Sequence, residues 1–134
     1  MANTRMYLGE ATEHLVVSKF LAEGREVYLP VVDDHGIDIL VKSKSGAPDN
    51  YQEIQVKSKE ADGLFAAMKC PNPRPNYWFV FYVKSLDKFW VINSEDFQNI
   101  ASRNGEDCKH PGLYTLNVTS KNAPAPVSDF SMIP

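Results

Sequence analysis

The sequence predicts an α/β (α+β) domain with one mixed sheet flanked by helices. Three observations carry this expectation. A helical apolar arc spans residues 7–23, apolar or alternating runs follow at 37–58, 77–83 and 89–92, and a capped second helix begins at Ser94. The order is helix, strands, helix, strand.

In the first helix, at about 100° per residue, Val16, Val17, Phe20 and Leu21 share one arc. Thr4 is a candidate N-cap, Gly9 marks an alternative later start, and Gly24 stands where a C-cap glycine belongs. Residues 26–32 read as a strand that Pro30 weakens or ends. After a turn at Asp33-Asp34-His35-Gly36, residues 37–41 form a strand. Gly46 and Pro48 mark a turn within 43–50, and 51–58 is the next strand, so 37–58 reads as a hairpin. Residues 60–76 read as irregular or partly helical, with Pro71, Pro73 and Pro75 arguing for a long loop. The run 77–83 is apolar throughout, as in a strand buried on both faces. A turn at Leu86-Asp87 leads to a strand at 89–92. Ser94 is placed to cap a helix carrying Glu95 and Asp96 in its first turn and Phe97, Ile100 and Ala101 on one face, ending near Asn104-Gly105. A last short strand is expected within 113–118. The expected organisation is a single domain over 1–121 and an Ala/Pro-rich tail, 122–134, loosely ordered.

Composition narrows the function classes. The 134 residues are 43% hydrophobic and 23% charged, which excludes wholesale disorder. No apolar run approaches the roughly 20 residues of a membrane span. The opening Met-Ala-Asn-Thr-Arg leads into no apolar segment, so a secretory signal is not expected. Cys70 and Cys108 fit neither a metal spacing nor a disulfide framework; they read as reduced, buried thiols of a cytoplasmic protein. The net charge of −3 is unevenly spread. Residues 1–41 carry three basic and seven acidic groups, 42–93 eight and five, and 94–134 three and five. The middle third is thus suited to face an anion while the first third supplies carboxylates.

Three local features are costly for a merely stable domain. Glu13 falls at the centre of the apolar arc of the first helix, where an unpaired charge is expensive, while Glu10 sits at its rim. Asp38 interrupts an apolar strand just after Gly36, on the face opposite Ile37, Ile39 and Val41. In Glu53-Ile54-Gln55-Val56-Lys57, alternation puts Glu53, Gln55 and Lys57 on one face. A hairpin brings Asp38 beside Gln55 and Lys57, and the helix can lie across them.

Phosphodiester hydrolysis suits this set. Hard cations such as Mg²⁺ or Mn²⁺ take one or two carboxylates, other oxygens and water. Asp38 is the natural central ligand, Glu13 a second carboxylate, Gln55 an amide oxygen and Val56 a backbone carbonyl. Lys57 is placed to orient the attacking water or to stabilise charge on the phosphate.

Gly9 and Glu13, Gly24, Gly36-Ile37-Asp38 and Gln55-Val56-Lys57 together resemble the PD-(D/E)XK nuclease superfamily. Within it the likeness is to Mrr-type restriction endonucleases and archaeal Holliday-junction-resolvase-like proteins, and it spans roughly residues 7–60. The resemblance implies a restriction-endonuclease-like αβββαβ core and an active site of Glu13, Asp38, Gln55 and Lys57. The divalent metal is expected at Asp38, Glu13, Gln55 and Val56. Two positions depart from the pattern. Gln55 replaces the usual acidic residue, which weakens the expected metal affinity, with Glu53 one pleat away and able to compensate. Ile37 stands where a proline is usual.

The function expected is therefore metal-dependent endonucleolytic hydrolysis of DNA. His35 abuts the proposed site, and Glu10 and Glu53 are accessory candidates. Lys42, Lys59, Lys69 and Arg74 are candidate phosphate contacts. A homodimer would help so small a domain grip a duplex. Two other readings remain at this level: an inactive nuclease-fold module that binds nucleic acid or protein, and a partner domain whose polar strand face is a subunit interface.

Overall fold

The computed structural model describes residues 4–31, 36–45, 50–67, 73–107 and 112–134. Helix α1 is Thr4–Ala22. Strands β1 Val27–Tyr28, β2 Ile39–Lys42 and β3 Tyr51–Lys59 follow, then β4 Leu64–Ala67, β5 Tyr77–Val83 and β6 Lys88–Asn93. Helix α2 is Ser94–Ile100, followed by β7 Ser102–Arg103 and β8 Tyr114–Asn117. The five-stranded sheet has the order β1-β2-β3-β5-β6, and β4-β8-β7 form a second sheet. In the main sheet only β3 and β5 run parallel; the other pairs are antiparallel.

Helix α1 starts at Thr4, so Gly9 lies inside it. It ends where Gly24 takes φ +79° and Arg25 N–H returns to Phe20 O at 3.0 Å, as a C-cap glycine allows. The hairpin over 37–58 forms with Ile39 opposite Ile54 and Lys42 opposite Tyr51. Strand β1 is shorter than the expected 26–32, since residues 29–31 leave the sheet at Pro30.

Further expectations need correction. The segment 60–76 contains a strand, β4, which pairs with β8 far along the chain (Phe65 opposite Leu116). The cap of α2 is Asn93, whose side chain accepts from Glu95 N–H at 3.0 Å. Ser94 is the first helical residue, its hydroxyl bridging Arg74 N–H and Arg74 O at 2.9 and 3.0 Å. That helix ends at Ile100 rather than near Asn104, because Ser102 and Arg103 pair with β8.

Two apolar layers enclose the main sheet. One holds Val16 and Phe20 of α1 against Ile39, Val41, Ile54, Val80, Phe89 and Val91. The other packs Phe79, Phe81, Trp90 and Ile92 against Phe65, Phe97, Leu116 and Val118. Strand β5 supplies both layers, as its unbroken apolar run predicts. The C-terminal segment is not loose. Phe130 and Ile133 are fully buried beside Phe20, and Val127 bridges the edge strand β6 at Phe89. Arg25 donates to Ile133 O at 3.0 Å and to Lys42 O at 3.2 Å, tying this segment to β2. Among the described residues no helix is long and apolar enough to cross a membrane. Cys70 and Cys108 lie outside the described residues.

Candidate active site

The site begins where β2 stops accompanying β3. Asp38 precedes the first residue of β2. Its N–H donates to Ile54 O at 2.8 Å, and its Oδ2 accepts from Val56 N–H at 2.7 Å. A carboxylate thus takes the place of a ladder carbonyl. In a strand, the N–H and C=O of one residue point to the same side. Glu53 N–H donates across to Asn76 O, on the β5 side, so odd residues of β3 face β5 and even residues face β2. Val56 O therefore points to the same edge as the N–H that Asp38 holds.

The pleat puts Glu53, Gln55 and Lys57 on one face of β3. Lys57 is half-buried. Burial lowers its pKa below the ordinary lysine value, and the Asp38 charge opposes that shift. Gln55 is held from β5: the Tyr77 hydroxyl lies 3.2 Å from Gln55 Oε1 and 3.0 Å from Gly36 O, joining both. Gly36 has φ +72°, and a Cβ there would come within 3.1 Å of both Gln55 Nε2 and Tyr77 Oη. Only glycine gives this backbone so close an approach to the amide.

Glu53 is engaged elsewhere. Arg74 pairs with it through two nitrogens, Asn76 Nδ2 donates to its Oε1 at 3.2 Å, and the Arg74 guanidinium lies 4.5 Å from the centre of the Tyr77 ring. The structure thus places Glu53 and Arg74 together in a half-buried ion pair beside Tyr77.

Helix α1 lies on the opposite face of β3, against Ile54 and Val56. Its buried face is centred on Thr12, Val16 and Phe20. Glu13 flanks that face, half-buried, and Leu21 is 57% exposed, which corrects the expected arc. Glu13 therefore belongs to the α1 side of β3. Glu10 is exposed beside His14, 4.0 Å away, on the solvent side of α1. Lys42 lies at the far end of β2, 3.8 Å from Glu26. Lys59 extends over the Phe65 ring, 5.8 Å from its centre. His35 and Lys69 lie outside the described residues.

Among the described residues no three His, Cys, Asp or Glu side chains form a metal cluster. The donors at the open edge are instead the Asp38 carboxylate, the Gln55 amide oxygen and Val56 O. They are all hard oxygens, which fits a weakly chelated Mg²⁺ or Mn²⁺ that keeps several waters. Sequence reasoning placed Tyr77 in the core strand and did not join it to Gln55. Its partners are set by the parallel register Glu53 opposite Tyr77, which nothing local signals.

No protein-family model and no curated protein sequence matches the chain. Solved structures do. A bacterial homing endonuclease, I-Ssp6803I, is 19% identical, with a TM-score of 0.56 over 88% of this chain and 78% of that one. Hjc, a Holliday junction resolvase from Archaeoglobus fulgidus, is 12% identical, with a TM-score of 0.52 over 85% and 92%. D212, a nuclease from a fusselovirus, is 17% identical, with a TM-score of 0.53 over 87% and 86%. These likenesses cover 85–88% of the chain, well beyond the hairpin, and the chain has the restriction-endonuclease-like fold.

Proposed function

We propose that this protein is a divalent-metal-dependent endonuclease that hydrolyses phosphodiester bonds in DNA, working in the cytoplasm. The observation that carries the reading is the Asp38 carboxylate, fixed on Val56 N–H at the open edge of β3, with Gln55 and Lys57 on the adjoining face. The solved structures compared above are by name a homing endonuclease, a Holliday junction resolvase and a nuclease, which supports the same reaction class.

Asp38, Gln55 Oε1 and Val56 O would hold Mg²⁺ or Mn²⁺, with Glu13 reaching the ion directly or through water. When bound, the ion supplies Lewis-acid stabilisation at the phosphoryl oxygen. Asp38 is positioned for this before any ligand arrives, because its second oxygen is already committed to the backbone. Tyr77 fixes the amide of Gln55, so its oxygen need not search for an orientation. Lys57 provides a partly desolvated cation beside the scissile phosphate, where electrostatic stabilisation is strongest. A second copy of the chain would supply the other half of a duplex grip.

Supercoiled plasmid tests the reading directly. We expect nicking with Mg²⁺ or Mn²⁺, none in EDTA, and at least about a 100-fold loss in a folded Lys57→Ala variant. Full activity in that variant removes Lys57 from the mechanism. The neutral Gln55 favours one second reading, a non-catalytic nucleic-acid module. Metal-independent binding with a steep salt slope and no cleavage would support it.

A further inference from the structure

Beside Lys57 a cleft of about 580 Å³ opens between the first turn of α1 and strand β4, lined by Arg5, Leu8, Lys57, Lys59, Leu64 and Phe65 among others. Its charge is one-sided. Arg5, Lys57 and Lys59 are cations, and the one carboxylate, Glu60, lies 3.8 Å from Lys84. Lys57 and Lys59 occupy the same face of β3, two residues or about 7 Å apart, close enough to meet successive phosphates of one strand. The Lys59 side chain lies along Gly63, where a Cβ would be 3.8 Å from its Nζ, and over the Phe65 ring. At the rim Leu64 is 57% exposed although its neighbour Phe65 is 2% exposed. An exposed leucine among cations suits the apolar face of a sugar or base.

We propose that this cleft holds the nucleic-acid backbone flanking the scissile phosphate, with Arg5 and Lys59 as phosphate contacts and Leu64 against sugar or base. The inference rests on the endonuclease reading and extends it, since it fixes the side of Lys57 along which the substrate strand leaves the site. It also gives β4 and the amino-terminal turn of α1 a function.

The test is fluorescence anisotropy of a labelled duplex of about 20 base pairs in EDTA over a salt series, where each phosphate contact contributes about 0.9 to the slope of log K against log salt. Arg5→Gln with Lys59→Gln should weaken binding and make the slope shallower by about 1.8. Arg5→Lys with Lys59→Arg should restore it, which separates charge from misfolding. Lys88→Gln with Lys121→Gln, exposed positions outside the cleft, should leave it unchanged. An unaltered slope in the Arg5/Lys59 variant with intact wild-type binding overturns the cleft assignment and leaves the endonuclease reading standing. Equal loss in the Lys88/Lys121 variant also overturns it. No wild-type binding at all overturns both.

Discussion

At the smallest scale, Lys57 carries the electrostatic cost of the proposed site. Its amine sits where burial disfavours the charged form, and the Asp38 charge offsets that only in part. The folded pKa lies below the unfolded value of 10.5, so between the two the unfolded chain binds more protons. Stability therefore rises with pH across that window, and below it the full cost is present. Lys57→Met should raise stability by about 0.5–1 kcal/mol near neutral pH. The gain should shrink as the pH approaches 10.5, and urea midpoints at the two pH values check this. Asp38, Gln55 and Lys57 were legible in the sequence because charged or amide side chains at strand spacing are costly without a purpose. The capture of Glu53 by Arg74 and Asn76 was not, since its partners lie 21 and 23 residues away and meet it through the parallel register. The same non-local geometry withdraws Glu53 from the compensating role its alternation suggests.

Between elements, the site depends on a joint. Tyr77 on β5 ties the backbone before β2 to Gln55 on β3, and Gly36 makes the approach sterically allowed. Gly36→Ala would force a Cβ into a left-handed conformation and against the amide. We expect it to cost about 1–2 kcal/mol in urea denaturation. The same substitution should lower cleavage more than it lowers stability, because Gln55 must move. Strands β3, β5 and β6 were readable because their patterns are complete within each segment. Strand β4 was not. Its four residues, Leu-Phe-Ala-Ala, carry little strand preference, and its pairing partner is about 50 residues away on β8. The end of α2 was obscured in the same way, since β8 recruits Ser102 and Arg103 where helix would otherwise continue.

At the scale of the molecule, the sheet is closed on both faces, and the last residues complete one of them. Phe130 is fully buried against Phe20 and Phe89, with ring centres 4.9 and 5.5 Å away. Their sequence context, prolines and small polar residues, concealed this, because two apolar residues separated by Ser-Met show no periodicity. Phe130→Ala should cost about 3–5 kcal/mol, measured by chemical denaturation. That is a large share of the roughly 5–15 kcal/mol that stabilises a domain. Were the C-terminal segment merely attached, the cost would be near zero. A sheet covered on both faces supports β3 past the point where β2 leaves it, and at that edge Asp38 holds the Val56 N–H.

Calorimetric titration of Mn²⁺ tests that edge most directly, comparing the wild-type protein with Asp38→Asn, with and without a short DNA duplex. Asparagine retains an oxygen to accept the Val56 N–H, so the fold is preserved while the ligand charge is removed. The account predicts binding by the wild-type protein, strengthened by DNA, and its loss in the folded variant. Equal binding by both proteins, or none by the wild-type protein even with DNA present, would contradict it.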